Sequence, residues 1–316
     1  MSQQKAIVFG TGPLGLWVAQ TLLDRGDQVT LVNRSGKIAE SSLSAPVDVV
    51  ACDATDADAV YQTCQGADVA FHCAMPPYTA WPEQFPPLTK GILGGVSRAG
   101  AKLIYGDNLY MYGDAGGAAL TEDLPYAATT RKGKVRAEMA QMLLDAHQRG
   151  EVRVAIGRGS DFFGPRVRNA IFGEMFFEAA LAGKTANLLG DIDTPHTHTY
   201  IRDFAEALVT LSEREEALGQ AWHVPNAPTI TTRQMVDAFA QALGQPIKVR
   251  PAGKITISIL GLFNPVIKEV REMMYEWDHP YIVDHRKFES AFGASTTSHA
   301  DAAEETVAWF RQQFSG

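Results

Sequence analysis

Three glycines near the start of the chain, Gly10, Gly12 and Gly15, are spaced as G-x-G-x-x-G within the segment GTGPLG. That spacing serves a dinucleotide. The first glycine lets the chain turn sharply after a strand, the second lets the backbone approach a pyrophosphate, and the third lets the next helix pack closely on the sheet. The helix that opens at Pro13, Leu14 and Gly15 then offers its N-terminal N–H groups and dipole to the phosphates. Further on, QVTLVN ends in Asn33-Arg34-Ser35, followed by Lys37. An NAD site usually has a carboxylate here for the ribose 2′-OH, whereas Arg34 suits a 2′-phosphate. The expected cofactor is therefore NADP(H), with NAD(H) second and a solvated loop arginine as the competing use of Arg34.

Other candidates follow in chain order. Asp53 and Ala54 come after a third strand, where a carboxylate can accept from the adenine amino group, and helix capping competes for Asp53. The fourth strand ends in His72-Cys73-Ala74-Met75, expected beside the nicotinamide ribose, with His72 itself read as a packed core histidine. The run MPPYTAWPEQFPP, with five prolines in thirteen residues, is expected to be an irregular surface loop. Its Tyr78 and Trp81 can line a substrate mouth or serve as packing anchors. His196 and His198 invite a metal reading, which is set aside because one intervening residue without further ligands at suitable spacing is poor evidence. No metal is expected, and a loop histidine there reads as merely polar.

The elements that must hold these residues are short apolar strands alternating with helices through residue 150, the pattern of a doubly wound parallel sheet. In such sheets the ligands lie beyond the carboxyl ends of the strands, which directs attention to 74–78, 106–113 and the turn after the sixth strand, VRVAIGRGSDFFGP. The expected class is α/β, a Rossmann-type sheet over 1–165. A smaller substrate lobe over 166–316 is expected to return segments near 195–230 to the core. Residues 169–182, 203–213 (capped by Asp203) and 299–313 read as helices, and 255–277 as an apolar helical region broken near Asn264-Pro265.

The chain has 316 residues, 46% hydrophobic and 20% charged, as in ordinary globular proteins. A net charge of −8 without a basic stripe argues against nucleic acid, and a small molecule is the expected partner. Cys52, Cys64 and Cys73 have neither metal spacing nor an even count, which reads as reduced thiols in a cytoplasmic protein. With a strand starting at Lys5, no signal peptide is read, and no apolar run is long enough for a membrane span.

GTGPLG, DNLYMYG after the fifth strand and RGSDFFGP after the sixth together resemble the extended short-chain dehydrogenase/reductase family, including its epimerase/dehydratase branch. The resemblance implies a cofactor on the N-terminal sheet, a substrate under the C-terminal lobe, and a Ser/Thr, Tyr, Lys catalytic set. Aligned on Tyr112-Gly113, the Ser/Thr position holds Asn108. Aligned on TRKGKVRAEM, the lysine is Lys134 and the tyrosine position holds Thr130, an aliphatic hydroxyl too weakly acidic for the role. Lys132 would serve in another register, but the spacing to Glu138 favours Lys134, which would also hold the nicotinamide ribose. In the dehydratase branch a glutamate stands where this chain has Tyr110. If 108–112 continues extended, Asn108 and Tyr110 share a side, so that Asn108 holds a carbonyl oxygen and Tyr110 supplies a proton. Ser160, Asp161 and Phe162 are expected near the nicotinamide. Arg166 suits an anionic substrate group, and Tyr200 is placed facing the cleft.

The function this implies is NADP(H)-dependent hydride transfer to a carbonyl or activated alkene. The alternatives are a sugar-like epimerase/dehydratase and a redox sensor that keeps the cofactor site without catalysis. A homodimer through helices near 88–99 and 131–149 is a further expectation, the stripe Val135, Met139, Met142 and Leu143 being available for it or for the sheet.

Overall fold

Strands that are covered on both faces need continuous apolar runs, and AIVF, TLV, VAF and VAI supply them. The computed structural model describes residues 3–38, 43–253, 257 and 269–315. They fall into two compact units, the first comprising 1–111, 131–158 and 204–224 and the second 112–130, 159–203 and 225–316. The expected division at 165 thus shifts to 158. The segment 112–130 belongs to the second unit, and 204–224 returns to the first.

The first unit contains β1 (Lys5–Phe9), α1 (Pro13–Asp24), β2 (Gln28–Asn33), β3 (Asp48–Ala51), α2 (Ala57–Thr63), β4 (Val69–His72), α3 (Trp81–Ala99), β5 (Lys102–Asp107), α4 (Arg131–Gln148) and β6 (Arg153–Arg158). After a passage through the second unit, β11 (Gln220–His223) completes one seven-stranded sheet in the order β11-β6-β5-β4-β1-β2-β3. Every pairing is parallel, so all the carboxyl ends share one edge. This is the Rossmann-like arrangement read from the strand pattern. The register sets Phe9 beside His72 and Asp107 beside Arg158 at that edge.

The proline-rich run departs from expectation. Tyr78–Ala80 is a 3₁₀ turn, and α3 starts at Trp81 and contains Pro82, Pro86 and Pro87. Pro82 lies in the first turn, where its missing N–H costs nothing. Pro86 and Pro87 do forfeit helical bonds, and burial of Trp81 and Phe85 in that same stretch outweighs the local rule. On α4 the buried positions include Lys132, Val135, Arg136, Met139 and Leu143, so the apolar stripe is used inside this unit. Thr89 of α3 donates to the sulfur of Met139.

The second unit contains β7 (Phe162–Phe163), α5 (Glu174–Leu181), β8 (Ala186–Leu189), β9 (Pro195–His196), β10 (Thr199–Tyr200), β12 (Ile230–Thr231), α7 (Thr232–Leu243), β13 (Val249–Ala252), α8 (Arg286–Phe292) and α9 (His299–Phe314). Short ladders join β7 to β10, β8 to β13 and β9 to β12. Its core is aromatic: the Phe239 ring meets those of Phe163, Phe172, Phe176 and Phe177 at centroid distances of 5.1 to 6.0 Å. Losing such a ring to alanine costs about 3–5 kcal/mol. α7 is capped by a Thr231–Gln234 capping box. α6 (Ile201–Glu213) runs from one unit's segment into the other's, and Asp203 lies inside its first turn rather than at its cap. The Asp203 carboxylate instead accepts from the N–H and hydroxyl of Thr297. Of the expected apolar helix over 255–277, 255–256 and 258–268 lie outside the described residues, and Arg271–Trp277 is 3₁₀. Among the described residues no helix is long and apolar enough to cross a membrane.

Candidate active site

The phosphate turn is built as its glycines require. Gly10 has φ +100, and a Cβ there would sit 2.6 Å from backbone atoms of Ala74, so only glycine lets β1 turn beside the end of β4. A Cβ on Gly15 would lie 1.9 Å from the Gly10 carbonyl oxygen, which is the close packing of α1 on its own strand. Around Gly12, the N-cap of α1, there is nothing within 4 Å. The turn is therefore closed at its first and third glycines and open at its second, next to the start of α1, where a helix leaves its first N–H groups without intrahelical partners. These residues fit a dinucleotide pyrophosphate. Leu14 packs its side chain toward Gly106 of β5, leaving only its backbone for a ligand. Cys73 and Ala74 are half-buried beside the turn, and Met75 is 61% exposed.

At the end of β2, Asn33 organises the next loop. Its Nδ2 donates to Thr11 Oγ1 (2.9 Å) and to the Lys37 carbonyl (2.7 Å). Its Oδ1 accepts from the N–H groups of Ser35 and Gly36 and from the Ser35 hydroxyl. One side chain thus ties the 33–37 loop to the phosphate turn and puts no carboxylate there. Arg34 and Ser35 are exposed. Asp53 accepts from the N–H and hydroxyl of Thr55, which hold its carboxyl below the usual range, while Asp56 caps α2. Capping therefore does not occupy Asp53. Ala54 is half-buried, its carbonyl against Gly91 of α3.

At the end of β5 lies a charged aromatic cluster around Asp107 and Tyr105, in which the unforeseen member is Arg136. Asp107 is buried between Arg136, at 3.0 Å, and Arg158, at 3.6 Å. The two guanidiniums oppose the desolvation that pushes its carboxyl up. Arg136 also donates to Tyr105 Oη at 2.7 Å and lies over the rings of Trp81 and Phe85, at 4.3 and 4.4 Å. One turn earlier, Lys132 is fully buried with its ammonium 4.4 Å from the Tyr78 ring centroid. Lys134 is exposed. Two residues along a helix turn it to the opposite face, so the lysine held in the cluster is Lys132, against the register favoured by spacing. The signal was available: 132, 136, 139 and 143 form one helical stripe.

Residues Tyr110–Tyr112 form a 3₁₀ turn rather than an extended continuation, so strand alternation does not relate Asn108 to Tyr110. Their link is a hydrogen bond from the Tyr110 N–H to Asn108 Oδ1, 3.2 Å, which leaves the Asn108 amide nitrogen as the available donor. The Tyr110 ring sits 6.0 Å from that of Trp81. Trp81 is itself buried, its Nε1 donating to the Pro76 carbonyl, so it anchors the cluster instead of lining a mouth. Tyr78 is half-buried, edge-on to Trp81. His72, buried against Tyr105 and Thr89, is pushed down to about 3 by desolvation first and the Arg136 charge second, and is neutral.

In the second unit, Ser160 is buried and its hydroxyl donates to the Thr197 carbonyl, a structural use. Phe162 is half-buried on β7, and Arg166 is buried with φ +72. Tyr200 does not face a cleft: its hydroxyl donates to Glu305 and its ring packs on Phe163. His196 and His198 are buried rather than merely polar loop residues, and His196 Nε2 is hydrogen-bonded to Asp161. Among the described residues no group of three or more His, Cys, Asp or Glu is gathered as metal ligands.

Residues 6–224 match the family model described as the NAD dependent epimerase/dehydratase family. Two 3beta-hydroxysteroid-dehydrogenase/decarboxylase isoforms of Arabidopsis thaliana, isoforms 2 and 1, are each 26% identical over 266 residues, 78% of this chain. The match covers 45% and 58% of those relatives, so the chain spans about half their length. Among solved structures, a UDP-N-acetylglucosamine 4-epimerase from Methanobrevibacter ruminantium M1 superposes with TM-score 0.81 at 18% identity, covering 99% of this chain and 100% of the other. A dTDP-glucose 4,6-dehydratase from Streptomyces venezuelae, with NAD and TYD bound, gives 0.81 at 18%, covering 98% of each. At these identities the structural likeness is one of fold.

Proposed function

Because the chain belongs to the NAD-dependent epimerase/dehydratase family, we propose that it is a nicotinamide-dinucleotide enzyme interconverting a hydroxyl and a carbonyl on a small, sugar-like substrate. The observation that carries this is the glycine turn, closed at Gly10 and Gly15 and open at Gly12. When bound, the nicotinamide supplies or accepts the hydride. The chain's own residues bind and orient. Gly12 and the start of α1 hold the pyrophosphate, and Arg34 with Ser35 holds a 2′-phosphate, which favours NADP(H) over NAD(H). Asp53 and Ala54 lie on the adenine side, Cys73, Ala74 and Met75 on the nicotinamide side. Asn108 donates its amide N–H to the substrate oxygen, and Tyr110 is the nearby phenol available as proton donor. Lys132 takes the lysine role in this reading, supported by its burial beside Tyr78, while Lys134 is left to solvent.

Family membership favours internal redox, as in epimerisation or dehydration, in which the cofactor is regenerated each cycle. Net reduction with NADPH is the second reading, favoured by the exposed Arg34-Ser35 pair and by the dehydrogenases among the relatives. The test combines dinucleotide binding by calorimetry with a panel of UDP- and dTDP-hexoses, ketones and aldehydes. It follows nicotinamide absorbance and, separately, product by NMR. A changed sugar with constant absorbance supports internal redox, and net NADPH oxidation supports the reductase. Binding without turnover across the panel would favour a sensor. Absence of dinucleotide binding would remove the whole reading.

A further inference from the structure

Asp107 and Arg158 stand side by side at the carboxyl ends of β5 and β6, two interior strands of the parallel sheet, where apolar residues are the rule. With Arg136 they make three buried charges, the side chains of Asp107 and Arg158 0% exposed and that of Arg136 5%. Pairing seldom offsets the cost of burying charges, so an ion cluster at the ligand edge of such a sheet points to a use other than stability. The two arginines are not equivalent. Arg136 Nη1 donates to Asp107 Oδ1 at 3.0 Å, and the same oxygen accepts the Asn108 backbone N–H at 2.9 Å. Arg158 Nε stands 3.6 Å from the other oxygen, Oδ2, which accepts no hydrogen bond among the described residues. Desolvation pushes the Asp107 carboxyl up, and Arg136 opposes that more strongly than Arg158 or the Asn108 N–H.

Arg136 is itself held from several sides. Its Nη1 also donates to Tyr105 Oη at 2.7 Å, and its guanidinium carbon lies 4.3 Å from the Trp81 ring centroid and 4.4 Å from that of Phe85. The carboxylate it grips is therefore fixed, and the chain leaving β5 is built on that carboxylate. Asp107 takes the Asn108 N–H, and Asn108 Oδ1 takes the Tyr110 N–H at 3.2 Å, an Asx turn that bends the chain out of the strand into the 3₁₀ turn. With its oxygen occupied, Asn108 presents Nδ2, which makes no hydrogen bond among the described residues although the residue is only 8% exposed. An unpaired donor so nearly buried, at the edge where ligands bind, calls for an acceptor from outside the chain.

We propose that Arg136 is a positioning residue: by holding the Asp107 carboxylate it sets Asn108 as a one-way donor, with Nδ2 turned to the substrate oxygen and Oδ1 turned back to the chain. This rests on the reading of Asn108 given above. The consequence is a specificity. A serine or threonine hydroxyl at that place would donate or accept, whereas Asn108 only donates and has no proton to give up. That favours a substrate oxygen that only accepts, a carbonyl or an alkoxide, over a hydroxyl, whose proton finds no acceptor on Asn108.

The test uses the full chain labelled with nitrogen-15 at asparagine, the Asn108 signals being identified by their loss in Asn108→Ala. Arg136→Met and Arg136→Lys are compared with the same two changes at Arg158. Each methionine variant deprives the buried carboxylate of a cation, so both should lose stability, and only the Asn108 signals separate them. Both Arg136 variants should shift the backbone and side-chain amide signals of Asn108 and speed exchange of its backbone N–H about tenfold or more, and the Arg158 variants should do neither. Lysine keeps the charge, but its ammonium has no planar face for Trp81 and Phe85, so Arg136→Lys decides the matter should Arg136→Met not fold. Asn108 signals unmoved in the Arg136 variants, or moved as far by those at Arg158, would overturn the proposal with no substrate in hand. With a substrate from the panel, Arg136→Met should lower kcat about 10²-fold with KM within about threefold, and Arg136→Lys should restore part of the loss. Because Arg136 acts through Asn108, Arg136→Met should cost nothing further in an Asn108→Ala background, and losses that multiply would also refute it. A parent that binds no dinucleotide would instead remove the reading on which the substrate role rests, while the Asn108 signals would still decide whether Arg136 sets that amide.

Discussion

Two alanine substitutions three residues apart in the phosphate turn should fail in opposite ways. At Gly15 the new methyl would lie 1.9 Å from the Gly10 carbonyl oxygen and 2.9 Å from its carbon, where 3.0 Å is the limit real Cβ atoms respect. Both obstacles are backbone, so the strand-helix turn itself must move. Overpacking of this kind costs about 1–3 kcal/mol, against about 1 kcal/mol returned by replacing glycine inside a helix. A net loss of up to about 2 kcal/mol lowers Tm by up to about 3 °C in a chain of 316 residues. At Gly12 there is nothing within 4 Å and φ is −77, which any residue adopts, so Gly12→Ala should leave Tm within about 1 °C. Its methyl occupies the space a phosphate needs. Losing one charge-assisted N–H bond, about 1.5–3 kcal/mol, weakens dinucleotide binding about 10–100-fold. Thermal unfolding and calorimetric binding read the two effects separately. Unchanged affinity in Gly12→Ala would show that the open turn is not the phosphate cradle, and an unchanged Tm in Gly15→Ala would refute the packing argument.

Other perturbations test the remaining parts. Arg34→Asp should weaken NADPH binding far more than NADH binding, and equal losses would end the 2′-phosphate assignment. Lys132→Met should reduce turnover or cofactor affinity at least tenfold while Lys134→Met is silent, and the reverse pattern would restore the spacing-based register. His72, neutral in the fold at a pKa of about 3 against about 6.5 in the unfolded chain, stabilises fully above pH 6.5. As pH falls toward 3 only the unfolded chain takes up this proton, and at pH 5 the loss from this group is about 2 kcal/mol. Urea unfolding from pH 7 to 4.5 should therefore be less pH-dependent in His72→Asn, and parallel curves would refute a buried neutral histidine.

Much of the first unit was legible because its determinants are local. A glycine triplet after an apolar strand has one economical use, and QVTLVN is a strand over the residues expected. The failures came where distant partners decide. Pro86 and Pro87 argue locally against a helix, and only the burial of Trp81 and Phe85 makes one worthwhile. Motif spacing points to Lys134, whereas the lysine on the face that α4 buries is Lys132, with Arg136, Met139 and Leu143 following it in register. The turn at Tyr110–Tyr112 defeated an argument from strand alternation. His196 carries no local sign of its burial, since Asp161, Trp277 and Tyr281 reach it from far along the chain. Tyr200 was misplaced for the same reason, its hydroxyl partner Glu305 lying over a hundred residues away.

The parallel sheet has a timetable as well as a topology. β6 ends at Arg158, but the strand that covers its outer edge, β11, begins only at Gln220, after residues 159–219 have been made. At about 5–20 residues per second on the ribosome, β6 therefore waits roughly 3–13 s with a row of unpaired backbone groups and the apolar run VAI on display. A nascent chain stalled in that interval has a sheet with one sticky edge. Holding that edge apart from other chains is the task its synthesis sets for the cell's chaperones.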